Sequence, residues 1–290
     1  MQPTPKKLSF RDHSRDSAGM TYVYPVISRR AGGVSVGINL NPNNACNWRC
    51  VYCQVPDLKR GAAPRIDLAK LETELRQFLH LLCEGDFMQS KVPLEARRIT
   101  DIAFSGNGEP TSAKEFSEVI ARVVKIKEDF AALENIKLVL ITNGSLIDKP
   151  HVQAGLKQMG SNHGEVWFKL DSATMSGRQR INNTRMSLKR TRENLLLAAS
   201  LCPTWLQTCV FEMDGQPPDQ AERHAYLDFV AGIIRDTQKQ HTPLKGVLLY
   251  GLARPSMQAE AARLAPASQA WMDALAAEIR ALGLVVKLDA

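Results

Sequence analysis

The chain has 290 residues, 44% hydrophobic and 23% charged, so it can bury one large core or two modest ones as an ordinary globular protein. No apolar run reaches the roughly 18 residues a membrane helix needs, and the charged start lacks a secretion signal's apolar stretch, so a cytoplasmic protein without a membrane partner is expected. Lys and Arg number 37 against 30 Asp and Glu, a net charge of +7 that suits an anionic partner such as RNA and is equally common without one.

Residues 1–33 are polar and basic, with "RDHSRD" at 11–16 and the turn-like "RRAGG" at 29–33. They read as an N-terminal extension carrying one short strand at 21–27, and residues 34–290 as the main domain. From there apolar runs alternate with helical patterns. Strands are expected at 34–40, 99–105, 136–142, 165–171, 206–213 and 246–251, with a last short one at 284–289. Helices are expected at 67–83, 112–132, 148–158, 186–200, 219–238 and 267–282. Continuous apolar strands are buried on both faces, which implies a parallel sheet. The fold class is α/β: six main βα units, fewer than a full barrel's eight, in a partial barrel or an open doubly wound sheet. Either architecture binds ligands just after the strands.

After the first main strand comes "NNACNWRCVYCQVP", in which Cys46, Cys50 and Cys53 are spaced C-x3-C-x2-C. In a reducing compartment, clustered thiols suggest metal or catalysis rather than disulfides. A structural zinc site would need a fourth Cys or His. Cys83, Cys202 and Cys209 are isolated; Cys83 and Cys209 read as small core residues, and nothing local recommends His151 or His163. Three thiolates can instead hold an iron–sulfur cluster with one iron left open for a ligand. The cysteines alone leave both readings standing.

The later strand ends gather polar groups on the same rim. They are "SGNGEPT" at 105–111, "TNGS" at 142–145, "KLDSAT" at 169–174, the basic loop "RQRINNTR" at 178–185, "FEMDG" at 211–215 and "YGLARP" at 250–255. Lys169 and Asp171 lie two apart in an expected strand and so share a face. Charges there cost several kcal/mol unless paired or bound to a ligand. Glu109 and Glu212 pose the same problem on other strands. A structural ion pair is one answer, and a polar ligand site with Lys169 and Asp171 as catalytic residues is the other.

With these residues together, the chain resembles the radical SAM superfamily over roughly residues 34–252. The three-cysteine motif, with Tyr52 before its last cysteine, and the GEP motif within "SGNGEPT" carry the resemblance, followed in order by "ITNGS" and "KLDSAT". The resemblance implies the six-unit partial TIM-like barrel and a 4Fe–4S cluster held by Cys46, Cys50 and Cys53. S-adenosylmethionine (SAM) would chelate the open iron and be cleaved to a 5′-deoxyadenosyl radical that abstracts hydrogen from a substrate. Gly106, Gly108 and Glu109 match the motif that receives the methionine amino group. Asn143 would lie near the ribose or methionine part, and Tyr52 and Tyr250 near the adenine. Ser172 or a basic residue from Arg178 onward would meet the carboxylate. A flavodoxin- or ferredoxin-like reductant and a monomeric enzyme are expected.

Within the superfamily the motifs look most like the wyosine tRNA synthetase branch and its bacterial relatives, which puts tRNA among the expected substrates. Those synthetases hold a second substrate on a lysine as a Schiff base, and Lys169 lies on the corresponding rim. The archaeal members carry a second cluster on cysteines N-terminal to the main motif, and here no cysteine precedes Cys46. The alternatives are a maturase acting on a protein or peptide and, from another class, a zinc-stabilised RNA-binding module.

Overall fold

The structure is a computed structural model, and it describes residue 8, residues 19–28 and residues 32–289. Its elements, in chain order, are β1 (Val23–Ser28), β2 (Gly33–Ile38), β3 (Ala45–Cys46), β4 (Lys59–Arg60), α1 (Leu68–Cys83), α2 (Phe87–Lys91), β5 (Ile99–Phe104), α3 (Phe116–Glu128), β6 (Lys137–Thr142) and α4 (Pro150–Gly160). There follow β7 (Gly164–Lys169), α5 (Met175–Asn182), α6 (Leu188–Leu201), β8 (Thr204–Met213), α7 (Gln220–Lys239), β9 (Gly246–Gly251), β10 (Leu264–Pro266), α8 (Gln269–Ala281) and β11 (Val286–Asp289). The main sheet runs β1-β2-β5-β6-β7-β8-β9-β11. Along this path every pairing from β2 to β11 is parallel, β1 is antiparallel to β2, and the short β10 pairs antiparallel with β8 off the path. This is the partial barrel: six βα units, with β11 added after the sixth.

The chain folds this way because each helix has one apolar stripe and each strand little polar surface. In α1, Leu71, Leu75, Phe78, Leu79 and Leu82 recur at helical spacing and are buried. Asp67 caps α1 by accepting a hydrogen bond from the Lys70 amide at 3.0 Å, and Asp219 caps α7 from the Glu222 amide at 2.8 Å. Each such cap stabilises its helix by about 1 kcal/mol. The helices pack on the outer face of the sheet, leaving the inner face to line a lumen. Among the described residues no helix is long and apolar enough to cross a membrane.

Three expectations need correction. The strand expected in the N-terminal extension is β1, and it joins the main sheet; Tyr22, Val23 and Ile27 are buried in the main core, not set apart from it. The segment 11–16 and residues 29–31 of the expected turn lie outside the described residues. The strand expected to run to 171 stops at Lys169, so the same-face argument for Lys169 and Asp171 fails. The basic segment expected as a loop is largely helix α5, capped by Thr174, whose hydroxyl accepts from the Gly177 amide at 2.9 Å.

Candidate active site

The cysteine loop leaves β2 and is tied down along its length. β3 pairs in parallel with β4, and the Gly61 amide donates to the Cys46 carbonyl at 3.1 Å. The Cys53 amide closes a turn on the Cys50 carbonyl at 3.0 Å. Amides of Arg49 and Val51 donate to the carbonyls of Asn182 and Ile181, at 3.2 and 2.8 Å, which fastens the loop to the end of α5. Arg49 forks onto Glu260, with its shortest contact at 2.9 Å, and the Ser256 hydroxyl donates to the Val51 carbonyl at 2.6 Å.

All three cysteines line one cavity of about 320 Å³ inside the curled sheet. Burial pushes the Cys46 thiol up to about 12, with Glu109 adding to it. Burial pushes Cys50 up to about 11, against the opposing pull of Lys169. Among the described residues no three His, Cys, Asp or Glu side chains gather closely enough to share one metal ion. Three thiols lining one cavity, with no fourth Cys or His gathered beside them among the described residues, suit an iron–sulfur cluster that keeps one position open. A structural zinc site would need a fourth ligand that is not gathered with them among the described residues.

The glycine-rich loop after β5 forms the neighbouring wall. The side-chain oxygen of Asn39 accepts from the amides of Asn41 and Asn107, both at 3.0 Å, which sets the loop's path. Gly108 passes so close that a Cβ there would collide with the Ala45 carbonyl oxygen. Glu109 is buried, and its Oε1 accepts from the hydroxyls of Thr111 and Thr142, both at 2.6 Å, and from the Thr111 amide at 3.2 Å. Its Oε2 accepts from the Asn143 amide at 2.7 Å and retains capacity for a further donor. Burial raises the Glu109 carboxyl, against hydrogen bonds that lower it. Asn143 in turn donates to Asn47 in the cysteine loop at 2.8 Å. Gly106, Gly108, Glu109 and Asn143 all line the cavity with the cysteines.

Lys169, Tyr52 and Tyr250 line it as well. The Lys169 ammonium stands over the Tyr52 ring, 5.0 Å from its centroid, and 3.4 Å from the Tyr250 hydroxyl. Burial works against its charge, yet Tyr250, Asp171, Cys50 and Cys209 outweigh burial and hold it above the ordinary lysine value.

Asp171 and Ser172 stand elsewhere. Asp171 does not line this cavity; it lines a second one. Its carboxylate accepts from the Tyr52 hydroxyl at 2.5 Å, the Asn182 amide group at 2.6 Å and the Cys209 backbone amide at 2.9 Å. With those donors it reads as a brace for Tyr52 and α5, not as a group facing substrate. Ser172 lines the same second cavity and donates to Glu222 at 2.7 Å. The arginines of the basic segment are dispersed too. Arg178 is fully buried, Arg180 reaches Glu222 at 3.6 Å, and Arg185 is exposed. Glu212 lines neither cavity.

Trp48, Gln207 and Cys209 line the cysteine cavity and were not singled out by the sequence reading as site residues. Cys209 is buried, as a core residue would be, but it also faces the lumen. Gln207 sits beside Lys169 in register. Gln207 and Cys209 alternate with Leu206 and Thr208, so a period-two reading of that strand would have placed them on one face.

The family model described as the Radical SAM superfamily matches residues 40–230. Among curated relatives, a protein named GTPase Obg from Brachyspira hyodysenteriae is 30% identical over 135 residues, 46% of this chain and 17% of the relative. A UPF0026 protein from Helicobacter pylori is 29% identical over 159 residues, 54% of this chain and 44% of the relative. A UPF0026 protein from Synechocystis sp. is 28% identical over 232 residues, 75% of this chain and 73% of the relative. The chain thus spans less than half the length of the first two. Among solved structures, TYW1 with a lysine–pyruvate adduct bound superposes with a TM-score of 0.54 at 12% identity, covering 88% of this chain and 74% of TYW1. A radical SAM methyltransferase from Sphaerobacter thermophilus superposes with a TM-score of 0.56 at 13% identity, covering 92% and 68%. Both likenesses are of fold.

Proposed function

Because the chain belongs to the radical SAM superfamily, a family of enzymes that use a 4Fe–4S cluster and SAM, we propose that Cys46, Cys50 and Cys53 hold the cluster and that SAM occupies the cavity beside them. The observation that carries this reading is the convergence of the three thiols, the Gly106–Glu109 loop, Asn143 and Lys169 on one lumen. A bound cluster and SAM supply one-electron cleavage of the sulfonium to methionine and a 5′-deoxyadenosyl radical, which takes hydrogen from substrate.

The protein's part is to hold, orient and exclude water. The loop at Gly106–Glu109 offers backbone acceptors and the remaining capacity of Glu109 Oε2 to the methionine ammonium. Asn143 fixes this loop against the cysteine loop. Lys169, held charged, takes a carboxylate, either of SAM or of the substrate. Tyr52 and Tyr250 give flat apolar faces to the adenine. The apolar strands around them keep the radical from solvent. Residues 34–290 form the core domain, with β1 extending its edge.

Enzymes of this family need an external reductant, and a flavodoxin- or ferredoxin-like donor fits a low-potential cluster. A tRNA substrate keeps the net charge of +7 as its support. Comparing modified nucleosides in tRNA from a deletion strain and its parent tests it. The lysine–pyruvate adduct in TYW1 is that protein's; Lys169 here lines the cysteine cavity, 3.4 Å from the Tyr250 hydroxyl.

The test of the central reading is anaerobic reconstitution. Wild-type protein should take up cluster iron and, with dithionite, convert SAM to 5′-deoxyadenosine and methionine. The triple variant Cys46→Ala, Cys50→Ala, Cys53→Ala should do neither, and cluster iron retained by it would overturn the assignment.

A further inference from the structure

Arg178 is an anomaly of the fold. It is 0% exposed, and its Nε and Nη2 find no hydrogen-bond partner among the described residues. Burial pulls its pKa down, with Asp171 opposing. Asp171 does not form an ion pair with it: the carboxylate is taken by Tyr52, Asn182 and the Cys209 amide. A buried cation without an anion costs several kcal/mol. A chain that keeps one has a use for the charge.

Its surroundings point to that use. The guanidinium stacks on Trp48, 5.5 Å from the ring centroid, and Trp48 lies between Cys46 and Cys50 and lines the cysteine cavity. One turn further along α5, Asn182 donates from its side chain to Cys50 Sγ at 3.3 Å. The carbonyls of Ile181 and Asn182 accept from the cysteine loop's backbone. So one short helix brings a positive charge behind the loop and an N–H onto one of its sulfurs.

We propose that Arg178 and Asn182 are positioning residues that raise the reduction potential of the cluster, a role that rests on the cysteine assignment above. A cluster held by three thiolates carries net negative charge, and taking up one electron from an external low-potential donor makes it more negative. A nearby cation and a hydrogen bond to a ligating sulfur both favour the reduced form. The same negative charge answers the stranded cation, so the cost of Arg178 in the empty protein is recovered when the cluster is present.

The measurement is the cluster's midpoint potential, by anaerobic titration with dithionite followed by EPR and absorbance, on reconstituted wild type, Arg178→Met, Arg178→Lys and Asn182→Leu. Arg178→Met and Asn182→Leu should each lower the reduced-to-oxidised ratio at fixed solution potential by about fivefold. Arg178→Lys, which keeps the charge, should stay nearer wild type. In urea unfolding, Arg178→Met should stabilise the cluster-free protein and destabilise the loaded one, a reversal that a merely structural arginine would not give. Wild-type potentials in both Arg178→Met and Asn182→Leu would overturn the proposal. If Arg178→Met does not fold, the Asn182→Leu potential decides. If wild-type protein takes up no cluster, the cysteine assignment itself has failed and this inference falls with it; a loaded wild type with unshifted variants sinks this inference alone.

Discussion

The Thr142 hydroxyl joins two segments of the site that are distant in sequence. It donates to Glu109 Oε1 at 2.6 Å and accepts from the Gly144 amide at 3.0 Å, all out of contact with water. Thr142→Val keeps the shape and removes both bonds. The unmet groups should cost about 1–3 kcal/mol, read as a lower urea midpoint of the cluster-free protein. The deficit should also depend on pH, and its sign follows from Glu109. Burial already holds that carboxyl above its ordinary value. A raised carboxyl contributes stability below the unfolded value of about 4.3 and loses it as pH rises through the folded value. Taking away a bond that lowers the folded value raises it further. The Thr142→Val deficit should therefore be smallest at acid pH and grow as pH rises through the raised Glu109 value. A deficit that shrinks over that range would mean Glu109 is not the group being held.

Two loops meet through a glycine at the scale of elements. Gly108 lets the loop after β5 pass against Ala45, the residue before Cys46, and the Asn41 side chain that donates to the Ala45 carbonyl at 2.9 Å. Gly108→Ala must move one loop or the other, at a cost of about 1–3 kcal/mol, and should reduce iron and sulfide content after reconstitution. Gly61→Ala is the control: its Cβ would sit 3.4 Å from the Ala45 Cβ, an ordinary contact, and iron uptake should match wild type. Equal iron loss in both variants would remove Gly108 from any special role. What the sequence could tell about these elements follows from range. The cysteine spacing and the GEP segment are local patterns, so their meeting could be read in advance. α5 was missed because its buried residues are Gly177, Arg178, Ile181 and Asn182, which give no apolar stripe. Its order comes from the cysteine loop across the barrel, a tertiary contact that no local period reports. Ser172 and Asp171 were misplaced for a related reason: the strand stops at Lys169, and no residue type marks that end.

Across the whole molecule, part of the positive charge is held in ion pairs. Arg192 pairs with Asp236 and Arg223 with Glu278, both at 2.5 Å. Arg263 pairs with Asp214 at 2.7 Å, and Arg178 is inside. Each pair removes one cation and one anion, so the net +7 stands as the support for an anionic partner. Salt dependence separates a phosphate partner from a neutral one. Each phosphate contact releases counterions, so tRNA affinity should fall linearly in log–log form with salt. Arg185, exposed between α5 and α6, is one arginine of the basic segment placed to make such a contact. Arg185→Ala should reduce the slope by about 0.7–0.9, one contact's worth. Arg178→Met should leave the slope unchanged, because a guanidinium sealed behind Trp48 meets no phosphate. Filter binding of tRNA across a salt series reads both. A flat slope in wild type would remove RNA as a partner. An unchanged slope in Arg185→Ala, with wild type still steep, would move the contact to other cations.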